Sequence, residues 1–358
     1  MMEDNQNLYN TILPFQKIKD SQGRILFYGL DSFTDEIVNG DSCFICGANP
    51  SEKEFNDEHV IPDWILRKYG LHNKEIRLPN SETIKYAQYK VPCCSDCNTL
   101  LGKTFETPLS EIIEKGYSFV YDYIKSEGYK LLFNWLALIF FKTNLRTTKF
   151  RFFIDKRKPD LKISDFIHWE SIHHIHCIVR SFYTGAELGP GVLGSFLLVP
   201  MRNDPYESFD YGDNLDGKGI MIKLGEIGLI AILNDSGASL TLFQDEVNKI
   251  NAPLTPLQLR ELMVRLAYYN CNLKERPLYQ SEIWDNHYRI HAELPATIEF
   301  QDNKQVNFGD FLMSGCYPLI ENQQFDNKDF VVGKMREGNF TFLFDKNGNF
   351  IDSRNVTT

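Results

Sequence analysis

Cys43-Phe-Ile-Cys46-Gly47 opens a stretch that runs on through Asp57-Glu58-His59-Val60-Ile61-Pro62 and closes with Cys93-Cys94-Ser-Asp-Cys97-Asn98-Thr-Leu-Leu-Gly102. Two Cys-x-x-Cys pairs bracket an acidic residue and a histidine, and an asparagine follows the last cysteine. A Cys-x-x-Cys turn presents two thiolates to one ion, and zinc takes four soft or borderline ligands in a tetrahedron. Cys43, Cys46, Cys94 and Cys97 are therefore expected to hold one structural Zn2+. Cys93 offers another spacing to Cys97; Cys94 is preferred because it repeats the two-residue spacing of the first pair. Gly47 suits the tight turn after Cys46, since glycine tolerates positive φ.

The rest of the composition sets limits. At about 150 residues per domain, 358 residues suggest two domains. Hydrophobic content of 43% and charged content of 24% are ordinary for a globular chain able to bury a full core. A net charge of -10 argues against a wholly basic nucleic-acid coat, while leaving room for a local basic surface. The N-terminal Met1-Met-Glu-Asp-Asn-Gln-Asn lacks the apolar run of a secretory leader, so a cytoplasmic chain is expected. The most apolar segment, Leu131 to Phe141, is shorter than the roughly 20 residues a membrane span needs and reads as a buried helix. Cysteines in such a chain point to metal or free thiols rather than a disulfide framework. Cys177, Cys271 and Cys316 lie among apolar residues and read as core.

Along the chain, residues 1–40 read as a leader segment with one strand, Ile25 to Gly29. Small β elements are expected around His59, then a helix capped by Ser95 or Asp96. Thr107-Pro108 starts an amphipathic helix reaching Gly128, with the apolar helix 130–145 after it. Strands are expected at 149–154, 175–179, 194–199, 220–224, 228–233 and 239–243. A helix follows from Thr255-Pro256 to Asn270, and the tail reads as a hairpin of 330–332 and 340–344. The fold class is thus α+β, divided into the leader, a module at 41–130 and an α+β domain at 131–358.

Hydrolysis of a phosphodiester needs a base for water and a cation for the leaving oxyanion. His59 is the candidate base, because neutral imidazole is available near pH 7. Glu58 offers a hard carboxylate oxygen and Asn98 an amide oxygen to Mg2+ or Mn2+. Taken together, the first Cys-x-x-Cys, Glu58-His-Val-Ile-Pro62 and Val91-Pro-Cys-Cys-x-x-Cys-Asn-x-x-Leu-Gly102 resemble an HNH endonuclease of the zinc-bound ββα-metal type, over residues 40–106. The resemblance implies structural zinc, His59 as general base and Glu58 and Asn98 as ligands of a catalytic metal. It also implies hydrolysis of DNA to 5′-phosphate ends. Asn98 stands where the family often has histidine. The family's base-orienting asparagine is replaced by Tyr89, with Gln88 and Asn80 as further candidates.

A small nuclease joined to a larger domain resembles bacterial antiviral defence effectors, by analogy of architecture alone. The second part is then a regulatory, sensing or assembly domain, with a homo-oligomer or a defence-system protein as partner. The competing reading is a non-catalytic zinc-bound scaffold that binds nucleic acid or a protein.

Three other patterns carry less. Lys142, Arg146, Lys149, Arg151, Lys156, Arg157 and Lys158 crowd together with only Asp155 opposing, and Lys149 and Arg151 would share a strand face able to follow phosphates. A solvated, aggregation-blocking edge accounts for them equally well. His173-His174-Ile-His176 lacks a spaced partner for a second metal. Asp210, Asp213 and Asp216 lack calcium-loop spacing.

Overall fold

Ile220-Met-Ile-Lys-Leu224 and Ile227-Gly-Leu-Ile-Ala-Ile232 are apolar runs separated by Gly225 at φ 62, the arrangement that folds back into a hairpin. In a computed structural model, which describes residues 16–204, 207–284, 287–301, 306–321, 323–324 and 326–352, they form the centre of a four-stranded antiparallel sheet. Its order is Phe196–Pro200, Ile227–Ile232, Gly219–Leu224, Phe209–Asn214. Register between the central strands is unbroken from Gly219↔Ile232 to Leu224↔Ile227, and every residue of both is buried. Helix Pro256–Cys271 lies against this sheet and packs on Phe308–Ile320, which in turn packs on Lys328–Arg336. Met221, Ile230, Leu259, Leu262 and Met263 share that core with no exposed surface.

The chain divides into two units, one of residues 1–110, 137–189 and 279–291, the other of 111–136, 190–278 and 292–358. The sheet just described belongs to the second. The first is built from short pieces. Lys17–Lys19 pairs with Ile25–Tyr28, Glu58–His59 with Lys90–Val91, and Glu75–Arg77 with Thr83–Lys85, all antiparallel. Leu278–Trp284, His287–Glu293 and Glu187–Leu188 make a three-stranded sheet whose last pair is parallel. Helix Ser95–Leu101 widens into a π turn over Gly102–Glu106. Leu131 to Phe141 falls inside helix Lys130–Thr147, as the apolar run implies. No helix among the described residues is long and apolar enough to cross a membrane.

The molecule is mixed α+β, and several local readings change. Residues 1–15 of the expected leader lie outside the described residues; Ile25–Tyr28 is a strand. The helix expected from Thr107 to Gly128 is two helices, Thr107–Glu114 and Tyr117–Glu127, because Gly116 sits at φ 86 between them. Residues 175–179 are not a strand but part of helix Glu170–Thr184, whose Ile172, Ile175 and Val179 bury one face at helical spacing. Residues 239–243 also turn helical, over Ala238–Leu242, because the Asp235 carboxylate accepts from the Gly237 and Ser239 amides and caps the turn. In the tail, 330–332 belong to helix Lys328–Arg336, and 340–344 contribute only the bridge Phe344↔Phe350. Residues 149–154 contribute only the bridge Arg151↔Lys162.

Candidate functional site

Cys43 and Cys46 lie in a tight turn in which the Gly47 amide donates to the Cys43 carbonyl at 2.8 Å and the Ala48 amide to Cys46 Sγ at 3.4 Å. Gly47 has φ 77, and a Cβ there would fall 1.7 Å from the Tyr28 hydroxyl, so no other residue fits. Cys94 is the N-cap residue of helix Ser95–Leu101, displacing Ser95 and Asp96 from that role, and Cys97 follows in the first turn. The helix start is tied down by the bridge Phe55↔Cys94 and by the Ser95 amide, which donates to the Glu54 carbonyl at 2.9 Å.

This geometry gathers Cys43, Cys46, Cys94 and Cys97, all buried, with their sulfurs within 4.8 Å of one another. Cys46 and Cys94 Sγ are 3.6 Å apart. Zn–S bonds of about 2.3 Å in a tetrahedron would separate the sulfurs by about 3.8 Å. Cys93 Sγ also approaches Cys43 Sγ, at 3.8 Å, but lies outside the mutually close four. Hydrogen bonds from the Cys46, Cys93 and Cys97 thiols hold the Cys43 thiol far below its usual range. The same contact with Cys43 pushes Cys46 up to about 12 and Cys97 up as well. Four sulfurs this close would repel one another as thiolates unless a cation lay among them, and the all-sulfur donor set suits a soft divalent ion such as zinc.

The second group of residues lies on the short ladder between the cysteine pairs. Glu58 is opposite Val91 and His59 opposite Lys90, and the Val60 amide donates to the Tyr89 carbonyl at 2.9 Å. His59 lies on the strand that pairs with Lys90–Val91, and Asn98 on helix Ser95–Leu101, which follows Lys90–Val91; helix Asp63–Lys68 and the pair Glu75–Arg77/Thr83–Lys85 intervene between the two strands in the chain. His59 is half-buried. Burial, with help from Lys90, holds its pKa below the usual 6.5, against the opposing pull of Asp63 and Glu58. Its ring is therefore neutral at pH 7, as a base must be. Asn98 donates from Nδ2 to Asn56 Oδ1 at 3.1 Å, which leaves its amide oxygen as the free acceptor end.

Glu58 is 5% exposed and ion-paired: Lys142 Nζ donates at 2.6 Å to Glu58 Oε1 and at 2.6 Å to the His59 carbonyl. Lys142 is therefore not part of a surface ridge but a buried cation fastening helix Lys130–Thr147 under the ladder. Its signal in the sequence was a lysine embedded at helical spacing between Leu138 and Leu145. Glu106, in the π turn, is a further carboxyl near this pair. Burial first, then the Glu58 charge, push it up to about 7, while Lys142 opposes. Asp63 receives His72 Nε2 at 2.9 Å and Arg67 Nε at 3.1 Å. Of the candidates for orienting His59, Asn80 donates instead to Glu82 and to the Arg151 carbonyl, Tyr89 directs its hydroxyl at the Thr143 carbonyl, and Gln88 is exposed.

Lys149 and Arg151 do not share a strand face, since no strand forms there. Lys149 pairs with Asp41 and Arg151 with Asp160, each at 2.7 Å. His173 and His176 serve structure: their Nε2 atoms bond the carbonyls of Tyr28 and Phe44 at 2.8 and 2.9 Å. Asp210 forms a two-pronged ion pair with Arg260, and Asp213 accepts from the Tyr211 hydroxyl.

No family model, no curated protein and no solved structure matches the chain.

Proposed function

We propose that residues 40–106 are a zinc-stapled HNH-type endonuclease module that hydrolyses DNA phosphodiester bonds with Mg2+ or Mn2+. The observation that carries this reading is the pairing of a neutral His59 with the strand Lys90–Val91, together with Asn98 on the helix that follows that strand. The four-cysteine cluster ties both ends of that module together. His59 would take a proton from the attacking water. The free oxygen of Glu58 and the amide oxygen of Asn98 would hold the catalytic metal, which supplies charge stabilisation at the leaving oxygen. Lys149 and Arg151 would follow the substrate backbone once released from their aspartates. In this reading residues 131–358 regulate the nuclease or recruit a partner, in the manner of an antiviral defence effector. The experiment is nicking of supercoiled plasmid with Mg2+ or Mn2+, with and without EDTA. Metal-dependent nicking is expected, and its absence under every metal tried would sink the reading.

One observation favours a second reading, a zinc-bound scaffold that binds nucleic acid or protein without cutting. Lys142 already engages Glu58 from within the core, which satisfies the carboxylate without a metal. Under this reading the protein retains plasmid on a gel without cleaving it.

A further inference from the structure

Arg180 is 1% exposed, yet among the described residues it has no carboxylate partner. Its guanidinium is spread over backbone instead: Nε donates to the Ile45 carbonyl at 2.6 Å, Nη2 to Ile25 at 2.6 Å and Nη1 to Leu26 at 3.4 Å. It also lies over the Tyr28 ring, 5.0 Å from the centroid. Carbonyls and a ring face solvate a cation but do not neutralise it, and a buried charge without a counter-charge is strongly unfavourable.

The missing anion is next door. Ile45 lies between Cys43 and Cys46, so the guanidinium grips the very turn that presents these two sulfurs. One turn earlier on the same helix, His176 binds the neighbouring Phe44 carbonyl. A divalent ion held by four thiolates carries two net negative charges, and it too is buried and without a carboxylate in its donor set.

We propose that Arg180 is the buried counter-cation of the four-cysteine metal centre. The inference rests on the metal reading of the cluster and extends it to a positioning residue that no cysteine pattern reveals. Arginine suits the task because its planar fork reaches several acceptors at once and stays charged when buried. Lys53, paired with Asp96 at 2.9 Å and 41% exposed, is the outer and weaker cation of the same centre.

The test uses the full chain loaded with Zn2+ or Co2+ and the variants Arg180→Met, Arg180→Lys and Lys53→Met. Zinc release to an excess of chromogenic chelator and the thiolate-to-cobalt charge-transfer band are read on folded protein, checked by circular dichroism. Arg180→Met is expected to release zinc about tenfold faster and to move the cobalt band to lower energy, because the thiolate electrons lose a stabilising charge. Arg180→Lys keeps the charge while losing part of the fork, so its cobalt band should stay at the wild-type position; Lys53→Met should change release by about twofold or less. If Arg180→Met fails to fold, Arg180→Lys decides alone, since a displaced band in that variant means the fork rather than the charge mattered. A wild-type band and release rate in Arg180→Met would overturn the proposal outright. Wild-type protein that takes up neither metal would overturn the metal centre itself, and that result appears before any variant is made.

Discussion

The two units bury different things. The second hides mostly area: two adjacent six-residue strands with every residue buried, covered by a helix that contributes Leu259, Leu262, Met263 and Leu266, although Lys223, Asp235 and Glu261 are buried there as well. The first hides charge and sulfur: Glu58 on Lys142, Arg180 on three carbonyls, His176 on Phe44, and the four cysteines. Apart from the strands Leu278–Trp284 and His287–Glu293, its ladders are two or three residues long, and strands that short are marginal without support. Apolar area degrades gradually when atoms are removed, whereas a buried polar contact fails at once when one partner goes. The order of the first unit should therefore depend more heavily on a few specific partners than that of the second, whose buried Asp235 and Glu261 sit beside a continuous apolar core.

Metal removal is the strongest way to break the comparison. Apparent binding energies of structural zinc reach about 10–16 kcal/mol in small zinc domains, where binding and folding are one event. Chelation, or Cys97→Ser, should abolish hydrogen-exchange protection at the Val60 and Ser95 amides. The amides of Ile227–Ile232 should stay protected. Equal loss in both regions would mean that the ion is no more important to one unit than to the other.

The proposed chemistry gives the next largest effect. His59→Ala should slow plasmid cleavage by ~10²–10⁴-fold while zinc content is retained. The sign of the pH dependence follows from the depressed pKa. The neutral base persists above it, so the rate should fall with acidification at a lower pH than an ordinary histidine base would give. Wild-type cleavage by His59→Ala would leave the scaffold reading in its place.

Lys142→Met probes the buried ion pair. It strands the Glu58 carboxylate, and breaking such a pair typically costs about 3–5 kcal/mol. Adding Glu58→Gln should recover part of that loss, because no charge is then left unpaired. A single variant as stable as wild type, by chemical denaturation, would show that water reaches Glu58 and that the pair is not truly interior.

The same contrast explains what could be read from the sequence. The cysteine cluster was legible because the repeated spacing names its own partners. Helix Pro256–Cys271 was legible because Thr255-Pro256 and a 3–4 apolar period agree. Helix Glu170–Thr184 was not, since Ile175 to Val179 is rich in β-branched residues and its helical character depends on burying Ile172, one turn earlier, on the same face. Helix Lys328–Arg336 hid for a similar reason, with Val331 and Val332 inviting a strand. The roles of Lys142, Arg180 and Glu106 were not legible because their partners lie far along the chain: the apolar setting of Lys142 marks it as buried, but no local pattern pairs it with Glu58 or Arg180 with Ile45.

The smallest effect sharpens the comparison from the other side. Thr255 caps its helix by accepting from the Gln258 amide at 3.3 Å, while Gln258 Oε1 accepts from the Thr255 amide at 3.0 Å. Thr255→Ala removes one arm of this capping box and should cost about 1 kcal/mol. Gln258 does more: its Nε2 also donates to the carbonyls of Phe342 and Ile351, at 3.0 and 2.8 Å, and so fastens the tail to the helix start. Gln258→Ala should therefore cost more than Thr255→Ala, by the penalty of leaving two carbonyls short of a donor, about 1–3 kcal/mol. Denaturant titration of both variants ranks them. If Thr255→Ala proved the more damaging, the helix cap rather than the tail contact would carry this corner. The second unit would then share the first unit's reliance on single polar partners.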